Sequence, residues 1–197
     1  MFWVFFNKVF TIGYIRVIIL LVGGVVMQTF QIVKASQQMC DTLAIVKRDV
    51  WETTYRGIYP ADKFDNYDNI EHAKKFKQYI DASNIELYVA KVGDRIVGYM
   101  SVGKSAYRPA GELEIVTLYV LKQFQGVGIG KALFNFGKER IIAQGGTQFT
   151  ICCNKYNLPA QEFYKKMGGR IICVDDDMDD RSIPQIQFQF NVNNGEV

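Results

Sequence analysis

The chain has 197 residues, of which 49% are hydrophobic and 22% charged, with a formal net charge of +3. That length suits one sizeable domain rather than two, and so small a charge excess, with no Lys/Arg block, gives no ground for a nucleic-acid partner. A single histidine, His72, and four cysteines without CxxC spacing argue against a zinc site and against histidine-dependent nucleophiles.

In chain order, Phe2 to Met27 comes first and is nearly all apolar, with Lys8 and Arg16 its only charges. Its length would span a bilayer, but Arg16 near its middle would cost roughly 2.5–3.5 kcal/mol on insertion. A cleaved signal peptide fits poorly, because no basic start precedes the apolar stretch and the first alanine is Ala35. Two readings of residues 1–26 stay open. One is a membrane anchor. The other is a translated leader before a natural start at Met27, with purine-rich codons for Gly23-Gly24 acting as a ribosome-binding site. Under either reading, residues 27–197 form the folded domain.

From there the pattern alternates helix and strand. Phe30 and Ile32 mark a short strand, and Ser36 is a candidate cap for a helix with Met39, Leu43, Val46 and Val50 on one face. Asn69 to Asp81 reads as a second helix with Ile70, Phe76, Tyr79 and Ile80 apolar. Leu87–Ala90 and Ile96–Met100 flank Gly93-Asp94 as a hairpin. Leu113 to Val120 is a strand, and Gly128 to Ala143 a helix presenting Ile129, Ala132, Leu133, Phe136 and Arg140. Thr147–Cys153 is a strand, Pro159–Met167 a helix, Ile171–Val174 a strand, and Ile186 to Val192 alternates as a last one. Cys152 and Cys153, adjacent in a strand, point to opposite faces. With Cys40 and Cys173 they read as reduced thiols in a cytoplasmic protein. The fold class is α/β (α+β).

The chemistry concentrates in Gln125-Gly126-Val127-Gly128-Ile129-Gly130-Lys131, between a strand and an amphipathic helix. Glycines at alternate positions remove the Cβ atoms that would hold a ligand off the backbone. A helix start offers unpaired N–H groups and the positive end of its dipole, which suits a pyrophosphate, and Lys131 adds charge. A Rossmann turn would place its third glycine one position later and an acidic residue about 20 residues on. A nucleoside-triphosphate loop would need Gly-Lys-Ser/Thr where this chain has Gly130-Lys131-Ala132. A plain glycine-rich strand-to-helix turn remains the bland reading.

The segment resembles the GNAT acetyltransferase signature Q/R-x-x-G-x-G/A, with Gln125, Gly128 and Gly130 in the defining places. Leu118-Tyr119-Val120 is similar to that family's preceding strand. Asn157 to Gly168 resembles its N-x-x-A-x-x-F-Y-x-x-x-G helix, and Trp51 to Ile58 its W-x-x-x-Y-x-G-I segment. One departure is Gly169, where the family usually has Phe; it predicts looser packing beneath the last helix.

The resemblance implies a GNAT fold, a mixed and mostly antiparallel twisted sheet flanked by helices, and acetyl-CoA as co-substrate without a metal. It implies that Leu118, Tyr119 and Val120 pair through their backbone with the pantetheine arm, and that Gln125 and the N–H groups from Gly126 to Lys131 hold the diphosphate. Asn157 would face the same arm, and Tyr164 would reach the coenzyme sulfur as the acid. The acceptor is an amine, on a small molecule, polyamine or peptide. Deprotonating an alkylamine at pH 7 costs roughly 4.6 kcal/mol, so a base is required. Glu114, four residues before Leu118, matches the family's glutamate. Strand alternation puts Glu112, Glu114, Val116 and Leu118 on one face, so Glu112 is a substitute and water a third option. Trp51, Tyr55 and Tyr59 are candidate walls of the acceptor pocket, with a packed core face as the alternative. The acidic run Asp175–Asp180 is either a solvated loop or an attractor of cationic acceptors. A non-catalytic acyl-CoA sensor and a homodimer also stay open, and a membrane contact depends on residues 1–26.

Overall fold

The computed structural model describes residues 29–104, 112–175 and 184–192, with the backbone alone at 16–18 and 175. Residues 176–180 of the acidic run, and residues 1–26 apart from Arg16–Ile18, lie outside the described residues.

Among the described residues, eight strands form one sheet in the order β1-β2-β3-β4-β5-β6-β8-β7. They are β1 (Arg16–Ile18), β2 (Phe30–Lys34), β3 (Ile85–Val92), β4 (Arg95–Lys104), β5 (Leu113–Val120), β6 (Gln148–Asn154), β7 (Arg170–Asp175) and β8 (Gln185–Asn191). Every neighbouring pair is antiparallel except β5 with β6. The α-helices among the described residues are α1 (Cys40–Tyr55), α2 (Asp62–Asp65), α3 (Asn69–Asp81), α4 (Ile129–Ala143) and α5 (Leu158–Lys166), and they flank the sheet.

Local chemistry explains most boundaries. Asp68 caps α3, its Oδ1 accepting from the N–H groups of Ile70 (2.8 Å) and Glu71 (3.1 Å). Asn157 caps α5 by accepting from Ala160 N–H at 3.2 Å. Ser36 makes no side-chain cap; it precedes a short 3₁₀ turn, Gln37–Met39, that feeds α1. The helix over Asn69–Asp81 forms as its pattern predicts, but Ile70 is 69% exposed, and the buried face is Ala73 and Phe76. Arg140 on α4 leaves the core to make a forked ion pair with Glu86 of β3, at 2.8 and 2.9 Å.

Two apolar clusters sit on opposite faces of the sheet. One packs α4 and α5 against Phe30, Met100, Val102, Ile115, Val120, Phe149, Ile151 and Phe188. The other packs α1 and α3 against Leu87, Val89, Ile96 and Tyr99. The glycine at 169 does not loosen the first cluster. A Cβ there would stand 2.6 Å from Cζ of Phe190 and 2.9 Å from the Tyr164 carbonyl oxygen. Phe190, from β8, already fills the space a phenylalanine at 169 would need.

Two irregularities in the middle of the sheet shape the site. In β5 the register slips: Ser101 pairs with Thr117, but Val102 pairs with Ile115, so Val116 is an extra residue. β5 and β6 then pair at Glu114 and Thr150 alone, and part towards their C-terminal ends.

Candidate active site

The parting strands open a cleft of about 410 Å³. Its walls are Val116 to Val120 on β5, Ile151 to Cys153 on β6, the loop and first turn of α4, one side of α5, and Val50, Thr53, Thr54 and Tyr55 on α1. Eleven of the residues singled out above line it: Tyr55, Leu118, Tyr119, Val120, Gln125, Gly126, Gly128, Gly130, Lys131, Asn157 and Tyr164.

The loop has the geometry its glycines predict. Gly126 has φ +78° and Gly128 φ +90°, left-handed values that side-chain-bearing residues adopt at a cost. Gln125 Nε2 donates to the Val120 carbonyl at 3.0 Å, tying the loop to the end of β5. Gly128 is the N-cap of α4 with no side-chain cap, and the first helical bond runs from Ala132 N–H to the Gly128 carbonyl at 3.0 Å. The N–H groups of Ile129, Gly130 and Lys131 therefore lie beyond the helix's own ladder. At Gly130 an added Cβ would meet nothing closer than Phe163 Cε2 at 3.8 Å. The fold itself leaves that surface bare, and unpaired N–H groups at a helix start suit an anion. Val127 is 43% exposed and Ile129 is buried in the core, and neither lines the cleft.

Tyr55, Tyr119 and Tyr164 line the cleft with hydroxyls that burial keeps protonated. Burial pushes Tyr164 well above the ordinary phenol value, and burial likewise raises Tyr55 and Tyr119. Asn157 and Tyr119 flank the Tyr55 hydroxyl. Burial also pushes the Cys153 thiol up to about 12, which keeps it from acting as a thiolate nucleophile. Cys152 and Cys153 do face opposite sides of β6, since Cys153 belongs to the α4-side core, yet both reach the cleft.

Trp51 and Tyr59 do not line the cleft. They form an aromatic group behind it: Trp51 stacks on Tyr59 with centroids 5.8 Å apart, and Tyr55 meets both edge-on. Asn154 Nδ2 donates to the Tyr59 hydroxyl at 3.2 Å, which fixes this group to the β6–α5 loop.

Glu114 is buried, at 7% exposure, and is not a cleft-lining residue; Glu112 is exposed. The bulge overturns the simple alternation expected for this strand. Leu113 and Ile115 pack on the α4 side, and so do Leu118 and Val120. The parity has changed between them. Glu114 therefore shares its face with Thr117 and Tyr119, the α1 side, and not with Leu118. On that face it is joined by Thr150, its partner on β6, and by Asn154 and Gln187, all buried. Ser101 and Thr117 hydrogen-bond there at 2.8 Å, while Thr150 Oγ1 has no hydrogen-bond partner among the described residues.

The cleft is also lined by Phe163, the phenylalanine of the N-x-x-A-x-x-F-Y segment, and by four residues that the sequence did not single out: Lys122, Thr53, Thr54 and Tyr156. Lys122 carried a usable signal, a second cation three residues before Gln125. Tyr156 carried none.

The fold resembles that of solved acetyltransferases. PaiA N-acetyltransferase of Thermoplasma acidophilum, solved with coenzyme A, superposes with a TM-score of 0.65 at 20% identity, over 82% of this chain and 99% of that one. Ribosomal-protein-alanine N-acetyltransferase of Brucella melitensis gives 0.65 at 17% identity, over 81% and 98%. YncA of Salmonella typhimurium, solved with its cofactor acetyl-CoA, gives 0.61 at 14% identity, over 85% and 96%. No curated protein sequence matches significantly. The profile of the acetyltransferase (GNAT) family matches residues 48–169, more than half of the chain and all of the cleft-forming segments. The chain belongs to the GNAT acetyltransferase family.

Proposed function

We propose that this protein is an acetyl-CoA-dependent N-acetyltransferase that acetylates a primary amine by direct attack within a ternary complex. The observation that carries the reading is the convergence, on one cleft, of the glycine loop, the open backbone of β5 and the protonated hydroxyl of Tyr164.

In this reading the N–H groups from Gly126 to Lys131 receive the coenzyme's diphosphate, with Lys122 and Lys131 adding charge. Leu118 to Val120 pair with the pantetheine arm as an added strand, alongside Asn157. The acceptor's nitrogen attacks the thioester carbonyl carbon, and a backbone N–H near Leu118 stabilises the developing oxyanion. Glu114 takes the ammonium proton, directly or through water, with Glu112 as the substitute. The bulge supports this role, because it turns Glu114 towards the face that Tyr55 and Tyr119 also border. Tyr164 supplies a proton to the leaving thiolate. The high Cys153 thiol favours direct transfer over an acyl-enzyme. Trp51 and Tyr59 support Tyr55 as the acceptor-side wall. A cationic acceptor, such as a polyamine or a basic peptide, suits a buried carboxylate as base.

We assign residues 27–197 as the catalytic unit and residues 1–26 as an extension, of which Arg16–Ile18 lies along the edge of β2. No helix among the described residues is long and apolar enough to cross a membrane. Four free thiols suit a reducing, cytoplasmic setting.

The test is thiol release from acetyl-CoA across an amine panel, for wild type and Tyr164→Phe. Turnover on at least one amine, lowered roughly 10²-fold in kcat by the substitution, is expected. Coenzyme binding without turnover on any amine would instead indicate an acyl-CoA sensor.

A further inference from the structure

The outer side of α1 carries a cluster that the cleft does not use. Lys47, one helical turn before Trp51, places Nζ 3.2 Å from Nδ1 of His72 on α3 and 5.2 Å from the centroid of the Trp51 ring. His72 is held flat against Tyr67, with centroids 4.1 Å apart and planes 16° apart. Tyr67 is fixed in turn by donating its hydroxyl to the Ala44 carbonyl at 3.0 Å.

An ammonium ordinarily sits in water or beside a carboxylate. Here its neighbours are an indole face and an imidazole. The charged groups that bear on Lys47 are both on α3: Lys75 opposes its charge and Glu71 supports it, but Glu71 is ion-paired with Lys75. His72 feels those two, with Lys47 and Asp68.

We propose that Lys47 is an acylation site, a nucleophilic amine that takes acyl groups from acyl thioesters. Burial, with Lys75, lowers Lys47 to about 8. Burial, with Lys47 itself, lowers His72 to about 4. At neutral pH the imidazole is therefore uncharged and about a tenth of Lys47 is free amine, against roughly one in 2,500 for an ordinary lysine. The nitrogen lone pair attacks the thioester carbonyl carbon, a C–N bond forms and the C–S bond breaks. The proton lost from nitrogen goes to the departing thiolate, leaving an amide and a free thiol. The product carries no charge, so it suits this aromatic site better than the ammonium did. The reaction needs only the thioester in solution and does not depend on how the cleft works.

The experiment incubates the wild-type protein with acetyl-CoA at pH 7.0 to 9.5 and follows acetylation of each lysine by peptide mass spectrometry. Lys47 is expected to react at least about 10-fold faster than exposed Lys34 and Lys165 at pH 7.5, and its rate to level off above about pH 8.5 while theirs keep rising. A rate no greater than theirs, or one that rises in parallel to pH 9.5, overturns the proposal. His72→Glu supplies a carboxylate partner and should bring Lys47 down to the exposed rate; an unchanged rate overturns it too. The wild-type pH profile decides the matter if that variant does not fold.

Discussion

One face of this sheet is built in two ways. Over β3 and β4 it is apolar: Leu87, Val89, Ile96 and Tyr99 lie under Leu43, Val46 and Val50 of α1 and Phe76 of α3, nearly all with 5% exposure or less. Over β5, β6 and β8 the same face carries Glu114, Thr150, Asn154 and Gln187, all buried. No residue of β6, β7 or β8 belongs to the α1/α3 cluster. Burying polar groups costs free energy unless they are paired, and Thr150 Oγ1 is not paired. The apolar half therefore stabilises the fold, while the polar half costs stability wherever a buried polar atom goes unpaired. The bulge at Val116 lies at the boundary and decides to which half Glu114 belongs.

Substitutions in each half should separate these roles. Glu114→Gln is expected to lower kcat by about 10²–10⁴-fold, with little change in melting temperature or in acetyl-CoA affinity. Steady-state kinetics beside a thermal melt check this; full activity would remove Glu114 as the base. Leu43→Ala, at a fully buried position of the apolar half, should cost about 2–5 kcal/mol of stability. Denaturant unfolding measures it, and activity per folded molecule should be unchanged. A large loss of kcat in folded Leu43→Ala would blur the two halves.

The smallest effect concerns pH and belongs to the apolar half. Burial lowers His72 to about 4 from an ordinary 6.5. Between those values the unfolded chain binds the proton and the native chain does not, so stability falls as pH drops through that window. Above pH 6.5 the group contributes no slope. His72→Gln should flatten the decline measured between pH 6.5 and 4.5. An identical slope in wild type and variant would show that the imidazole is not held neutral.

Much of the cleft was legible in the sequence because its signals are local. The glycines stood out by their spacing and Asn157 by its place in a motif; the left-handed backbone at Gly126 and Gly128 and the cap made by Asn157 are further local roles that the structure adds. The strand over Leu113–Val120 was legible too, but the side to which Glu114 points was not. A strict period of two put it with Leu118, whereas one extra residue, visible only through the pairing of β5 with β4, reversed it. Phe190 compensating for Gly169 was hidden for the same reason, since β8 lies some twenty residues downstream. Ile70 was apolar by type but outward by position, because Asp68 sets the phase at which α3 begins. Thr54 and Tyr156 line a cleft opened where β5 and β6 part, and no single segment encodes that separation.

The central claim is that the bare amide groups opening α4 hold the diphosphate of a coenzyme. Calorimetric titration of the wild-type protein with acetyl-CoA and with S-acetylpantetheine, which keeps the thioester and the arm but lacks the diphosphate, tests it most directly. Acetyl-CoA should bind at least about 100-fold more tightly, a difference of roughly 2.7 kcal/mol. Equal affinity for the two, or no affinity for acetyl-CoA, would contradict the account.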